Sequence, residues 1–195
     1  MKNFIKLVGL SILVLGVGQG CGRLIDEGIE KGLGPTAKAM PMDPQWPAAD
    51  HAYLANYKNF VLGTITTEYP AVPPAFMAYL PESLTGQLTS KGLPRGQRGP
   101  TLVINIAILA YQPVSSYEKA LGPTEEVVAR VSLVDQASGK LVGQAVCIGR
   151  TYQSVGLGVK WKAWGLSRAI VNKWLDDYYP KAGRQETEEK APSKE

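Results

Sequence analysis

The stretch EEVVARVSLVDQASGKLVGQAVCIGRTY, Glu125 to Tyr152, constrains the fold more than any other part of the chain. Two alternating runs flank Asp135–Gly139, and a period of two belongs to strands rather than helices. An aspartate that opens a short turn, with glycine near its end to supply a positive φ, describes a hairpin of the type I turn plus bulge kind. Cys147 falls in the second run on the same face as Leu141, Gly143 and Ala145, which predicts a small apolar thiol packed in a core.

The remaining elements fall around this hairpin. TLVINIAILAYQ (Thr101–Gln112) is apolar on both alternating faces, which predicts a central strand covered on both sides. NFVLGTITT (Asn59–Thr67) is rich in β-branched residues and reads as a strand that YPAVPP stops. Phe76, Leu80, Leu84 and Leu88 recur at i, i+4 spacing, as on a buried helical stripe. Pro81 interrupts that stripe, and it also fits the first position of a helix ending at Gly92. KGLPRGQRGP is a loop, and Gly122–Pro123 breaks the stretch after the central strand. In WKAWGLSRAIVNKWLDDYYP, Leu166, Ile170, Val171, Trp174, Leu175 and Tyr178 form one broad apolar helical face. Arg168, Asn172, Lys173 and Asp176 lie off that face, and Pro180 ends the helix. The tail from Lys181 has no core-forming residues and reads as disordered.

The order is β-α-β-β-β-α. It predicts an α+β two-layer domain, a mostly antiparallel sheet with two helices on one face, over residues 51–180. A chain of 195 residues suits one such domain with additional segments at its ends.

The N-terminus is of another kind. Lys2 and Lys6 flank an apolar run, Leu7–Val17, broken by Gly9, Ser11 and Gly16. A basic start and an apolar stretch of that length describe a secretory signal peptide over residues 1–20. The run is shorter than the roughly 20 residues needed to span a bilayer. No A-x-A cleavage site follows; glycines lead directly into Cys21. Gly20–Cys21 resembles the lipobox of bacterial lipoproteins, although Gln19 and Gly18 depart from the residues that family favours. The resemblance implies that Cys21 becomes the acylated N-terminus, carrying diacylglyceryl and palmitate-type chains. Two or more chains give stable anchoring, at about 0.8 kcal/mol per buried methylene. It also implies that Gly22, where an aspartate would retain the protein at the inner membrane, favours the outer membrane. The alternative is ordinary secretion with Cys21 free or paired to Cys147.

Residues 21–50 then read as a lipidated start and a tether. In RLIDEGIEKGLG, Leu24, Ile25, Ile29 and Leu33 lie near one helical face, while Gly28 and Gly32 each weaken a helix by about 1 kcal/mol. Pro35, Pro41, Pro44 and Pro47 deny the next stretch both helix and central strand. An extended spacer of 17 residues, Gly34–Asp50, reaches up to about 50 Å. The lipobox-like start, the strand-helix pair, the hairpin and the terminal amphipathic helix together resemble an uncharacterised family of bacterial envelope lipoproteins. That family is broadly similar to auxiliary lipoproteins of ABC-type transport and to envelope-assembly lipoproteins with anticodon-binding-like folds.

Reactive constellations are sparse. Two cysteines and one histidine leave no basis for a thiol or imidazole metal site. His51 stands alone beside the tether. GLSRA (Gly165–Ala169) approaches the G-x-S-x-G nucleophile elbow, but Ser167 sits in a helical pattern with no strand before it. Gly156 and Gly158 lack the full dinucleotide fingerprint. Net charge is +4, and removing Lys2 and Lys6 leaves +2, too little for a phosphate footprint without a clustered basic face. Lys160, Trp161, Lys162 and Trp164 alternate cation and aromatic, which suits a membrane interface or a partner hot spot. The plainer alternative packs one tryptophan on the sheet and leaves the lysines solvated. Lys91, Arg95 and Arg98 could likewise meet anionic headgroups or stand in a solvated loop. The sequence therefore predicts a non-catalytic lipoprotein anchored in the envelope and facing the periplasm, with a protein-interaction, assembly or transport-accessory role. Its expected partners are the membrane, through lipid, and an envelope protein; no nucleic acid, cofactor or metal is expected. The alternative is a periplasmic binding module for a lipid or small hydrophobic ligand.

Overall fold

The alternation around Asp135 builds two twelve-residue strands, β4 (Thr124–Asp135) and β5 (Leu141–Tyr152), paired antiparallel. The structure is a computed structural model and describes residues 36–42, 54–112, 124–152, 158–182, 184–187 and 191–192. The turn has the chemistry expected of it. Asp135 Oδ1 accepts the Ser138 N–H at 2.8 Å and the Ser138 hydroxyl at 2.7 Å. Gly139 has φ +67° and donates its N–H to the Asp135 carbonyl at 2.9 Å, a left-handed turn position that suits glycine. The register then slips: Val134 faces Leu141 but Leu133 faces Gly143. Val142 is the extra residue of a bulge, and beyond it Leu141 is exposed, not buried with Gly143 and Ala145.

The other predicted strands form with the expected bounds, β2 (Asn59–Thr67) and β3 (Thr101–Gln112). They pair parallel, so a crossover must join them, and α1 (Pro74–Ser90) supplies it. Phe76, Leu80, Leu84 and Leu88 are all buried along α1. The helix begins at Pro74, however, and Pro81 lies inside it. A proline there removes one backbone donor; the buried leucine stripe on both sides of it holds the helix through the gap. Its end is a Schellman closure: Leu93 N–H donates to the Leu88 carbonyl and Gly92 N–H to the Thr89 carbonyl, each at 2.9 Å.

One strand was not foreseen. Thr36–Pro41, which the prolines of Gly34–Asp50 mark as part of the tether, forms β1 and pairs antiparallel with β5. The sheet order is β1-β5-β4-β3-β2, so β1 is an edge. Pro41 closes the strand, a place where a missing N–H leaves the ladder intact.

The architecture is the expected α+β, a mixed five-stranded sheet, mostly antiparallel, with two helices on one face. The second helix, α2 (Val159–Asn172), packs on β5, β4 and β1 and against α1. It stops well before Pro180; a short 3-10 turn, Leu175–Asp177, follows. The approach of α2 to β5 is close: a Cβ on Gly149 would strike the backbone of Gly165 and Leu166. The covered face carries Leu102, Ile104, Ile106, Ile108, Val127, Val131, Leu133, Ala145 and Cys147. The opposite face of β3, with Val103, Asn105, Ala107 and Leu109, is only half-buried. The strand is central but covered on one side, because both helices lie on the same face.

The segment after Pro180 also departs from expectation. Arg184 is buried to 5% side-chain exposure and lies 2.7 Å from Asp176, itself buried. Thr187 N–H donates to the Ser90 carbonyl at 2.8 Å, and Lys91 pairs with Glu186 at 2.9 Å. Residues 184–187 are held here by charge and backbone bonds, with no apolar side chain.

Candidate functional site

Three places in the domain bring chemistry-bearing residues together. The first is the start of α2. No N-cap side chain closes that helix. Glu125 of β4 does so from across the fold, accepting the Gly158 N–H at 3.0 Å. A carboxylate there also complements the positive end of the helix dipole. Lys162, one turn on, is 2% exposed. Its ammonium donates to the Gln112 carbonyl at 2.9 Å, lies 3.4 Å from Glu125, and sits 4.0 Å above the Tyr111 ring. Burial lowers the Lys162 pKa, and Glu125 counteracts the shift. Burial, with the Glu125 charge behind it, pushes the Tyr111 phenol up to about 12. Carbonyl, carboxylate and ring together surround the ammonium, an arrangement that locks helix to sheet.

The residues singled out from the sequence therefore diverge. Lys162, Trp161 and Trp164 are buried, the two indoles edge to face at 5.5 Å. Lys160 reaches over Tyr79 of α1, and Arg168 lies over Trp164. Neither sequence reading anticipated the Lys162–Glu125 pair. Its signal is only that Glu125 opens an alternating strand on its apolar parity. Ser167 is wholly buried on α2, and its hydroxyl makes no hydrogen bond among the described residues. The Cys147 thiol is buried and burial raises its pKa strongly. Lys91 is engaged by Asp176 and Glu186, and Arg95 donates to the Thr85 carbonyl. Cys21 and His51 lie outside the described residues. Among the described residues, no group of three or more His, Cys, Asp or Glu could hold a metal ion, and no helix is long and apolar enough to cross a membrane.

The second place is the sheet face turned away from the helices. Register sets its side chains in rows. Ile148, Val128 and Ala110 form one apolar row, and Val134, Val103 and Val61 another. Between them runs a polar row, Gln144, Ser132 and Asn105. Gln144 donates to the Ser132 hydroxyl at 2.9 Å, and Asn105 Oδ1 accepts both the N–H and the hydroxyl of Thr64 at a bulge in β2. Ion pairs Arg150–Glu126 and Arg130–Glu68 also lie on this side. Each row residue is half-buried. The face is neither a sealed core nor a fully polar surface.

The third place is the hairpin end of the sheet. A cleft of about 430 Å³ is lined by Asn56, Tyr57, Pro100, Asp135, Ser138, Lys140, Leu141 and Val142. Ser138 hydrogen bonds hold the Asp135 carboxyl below its usual pKa, and Tyr57 adds another. Met40, Met42 and Leu141 are the exposed large apolar side chains among the described residues, at 38%, 52% and 53%. Leu141 lines the cleft, whereas Met40 lies beside Val146 further along β5 and Met42 donates its N–H to the Gln144 carbonyl.

No protein-family model and no curated protein matches the chain. Among solved structures it is similar to the PelC dodecamer from Paraburkholderia phytofirmans, with TM-score 0.45 and 13% identity over 74% of this chain and 96% of that one. A variant of the same dodecamer gives TM-score 0.43 and 14% identity over the same shares.

Proposed function

We propose that this chain is a lipoprotein of the bacterial cell envelope, acylated at Cys21. Its α+β domain faces the periplasm and works without catalysis, as a protein-interaction or assembly module. The observation that carries the anchor is the sequence at the N-terminus: a basic start, a short apolar run, and glycine leading into Cys21. The outer membrane is the favoured destination because Gly22 follows that cysteine. The interaction role is supported by the half-buried sheet face, whose apolar rows are interleaved with satisfied polar ones. A surface of that composition suits a protein partner, since interfaces are mixed rather than uniformly apolar.

The ligand-binding alternative needs a cavity between the sheet and α2. The close packing of Gly149 on the helix backbone leaves no such space at that point.

Metabolic labelling with palmitate tests the anchor. Wild-type chain takes up label and sediments with membranes, whereas Cys21→Ala loses both label and sedimentation. Undiminished labelling and membrane retention in Cys21→Ala would overturn the reading.

A further inference from the structure

We propose that the outer edge of β2 takes an added strand: an extended, uncharged segment of a partner protein with an apolar side chain at every second position. The inference rests on the reading of the domain as an interaction module and gives that module a place and a mode of binding.

The two edges of the sheet are β1 and β2, and they are built differently. On β1, Lys38 is exposed and Pro41 ends the strand. A charge and a proline are common means by which an edge refuses a further strand. β2, Asn59–Thr67, contains neither. Its first half is closed all the same: Phe60 points its N–H away from β3 and donates it to the Pro94 carbonyl at 2.9 Å. Backbone groups alternate in direction along a strand, so Leu62 points outward with Phe60. Beyond the bulge between Leu62 and Ile65, Glu68 donates inward to the Ile108 carbonyl. Thr67 and Ile65 therefore point outward as well. Among the described residues no strand lies beyond β2. The outward N–H and C=O groups of Leu62, Ile65 and Thr67 form an open row. An extended backbone matches such a row; a helix, which pairs its own groups internally, does not.

The helix above selects the side chains. Leu62 and Ile65 lie beside Ile104 and Ile106, on the covered face, and are only half-buried. Tyr79 of α1 meets Lys160 of α2. Met77 and Pro81, two residues to either side of Tyr79, lie about 160° round the helix from it, on the flank turned away from α2. Since α2 packs over β5, β4 and β1, that flank overhangs the β2 edge. Met77 and Pro81 are half-buried there. An added strand would set alternate side chains against a shelf made of Leu62, Ile65, Met77 and Pro81, which suits apolar residues. Glu68, just past the strand, is paired with Arg130, so the edge asks no charge of its partner.

Fluorescence anisotropy on the full-length protein in detergent tests this. The parent probe is a labelled peptide of alternating threonine and valine flanked by Gly-Ser. Two further probes carry N-methyl groups on all the valines or on all the threonines, which removes the N–H groups from one edge of the peptide at a time. The parent binds. The methylated probe that loses its β2-facing N–H groups binds about tenfold more weakly or worse, because main-chain hydrogen bonds supply the affinity; the other keeps its affinity. Bound parent slows amide exchange over residues 61–67 and leaves β1 unchanged. Met77→Glu, on the shelf, weakens the parent by about tenfold, as loss of an apolar anchor does, whereas Met40→Glu on the β1 edge has no effect. Absence of parent binding at millimolar concentration overturns the proposal. So do methylated probes of equal affinity, or exchange over residues 61–67 that the parent leaves unchanged. Self-association that protects the same segment and excludes the parent also overturns it, and assigns the edge to a second copy of the chain. Palmitate labelling is unaffected by any of these results, so the failure of the edge and the failure of the anchor are separable.

Discussion

Lys162 shows how far a single side chain can depart from the habit of its type. A lysine between two tryptophans on an amphipathic pattern suggests an outward cation. Here it is turned inward by a carbonyl, a carboxylate and a ring. Removing one member of a buried pair leaves the other charge uncompensated, at a cost of about 3 kcal/mol or more. Lys162→Met should lower the urea midpoint accordingly. Adding Glu125→Gln, which keeps an acceptor for the Gly158 N–H but removes the stranded charge, should restore at least half of the loss. Tyr111 beneath the ammonium predicts an alkaline limit. Its folded pKa of about 12 lies above the ordinary phenol value of 10.0, so the folded state holds a proton that the unfolded chain releases first. The stabilisation is full below pH 10.0 and is lost as pH rises toward 12. In Tyr111→Phe, urea midpoints measured at pH 8 and pH 11 should differ less than in the wild type. An equal or larger difference would remove Tyr111 from the account. None of this was legible from composition, because a buried pair announces itself only when strand and helix are set side by side.

At the scale of elements, the parts that could be read were those whose pattern is local. The bounds of β2 and β3, the α1 stripe and the Asp135 turn follow from spacing and turn chemistry within a dozen residues. The parts that could not be read depend on distant partners. The prolines in and around Thr36–Pro41 argue for a spacer until β5 offers an edge to pair with. Pro81 argues for a helix start until the stripe on both sides is seen to be buried. The segment 184–187 has no apolar residue to signal packing. Its hold comes from Arg184, whose guanidinium lies by Asp176, donates to the Lys91 carbonyl at 3.1 Å and lies over Tyr179. Arg184→Met should cost about 2 kcal/mol, less than an isolated buried pair, because Lys91 and Lys181 remain near Asp176. Deleting everything after Lys181 should cost about the same if Arg184 is the principal attachment. Chemical denaturation of the two variants compares them directly, and a truncation much more damaging than the substitution would assign the hold to the backbone bonds instead.

At the scale of the molecule, the candidate site was less legible than the fold. The aromatic and basic cluster drew attention in the sequence, but Trp161, Lys162 and Trp164 serve the interior. The surfaces that remain half-open come from which face the helices choose, and from a one-residue slip that no periodicity records. Sheet order carries a further consequence. Thr36, near the start of the domain, finds its partner in Arg150, more than a hundred residues later. Closing so long a loop is entropically expensive, and such contacts form late. During synthesis the first strand must wait for almost the whole domain to emerge. The proposed acylation at Cys21, in the stretch before it, would then meet no finished sheet.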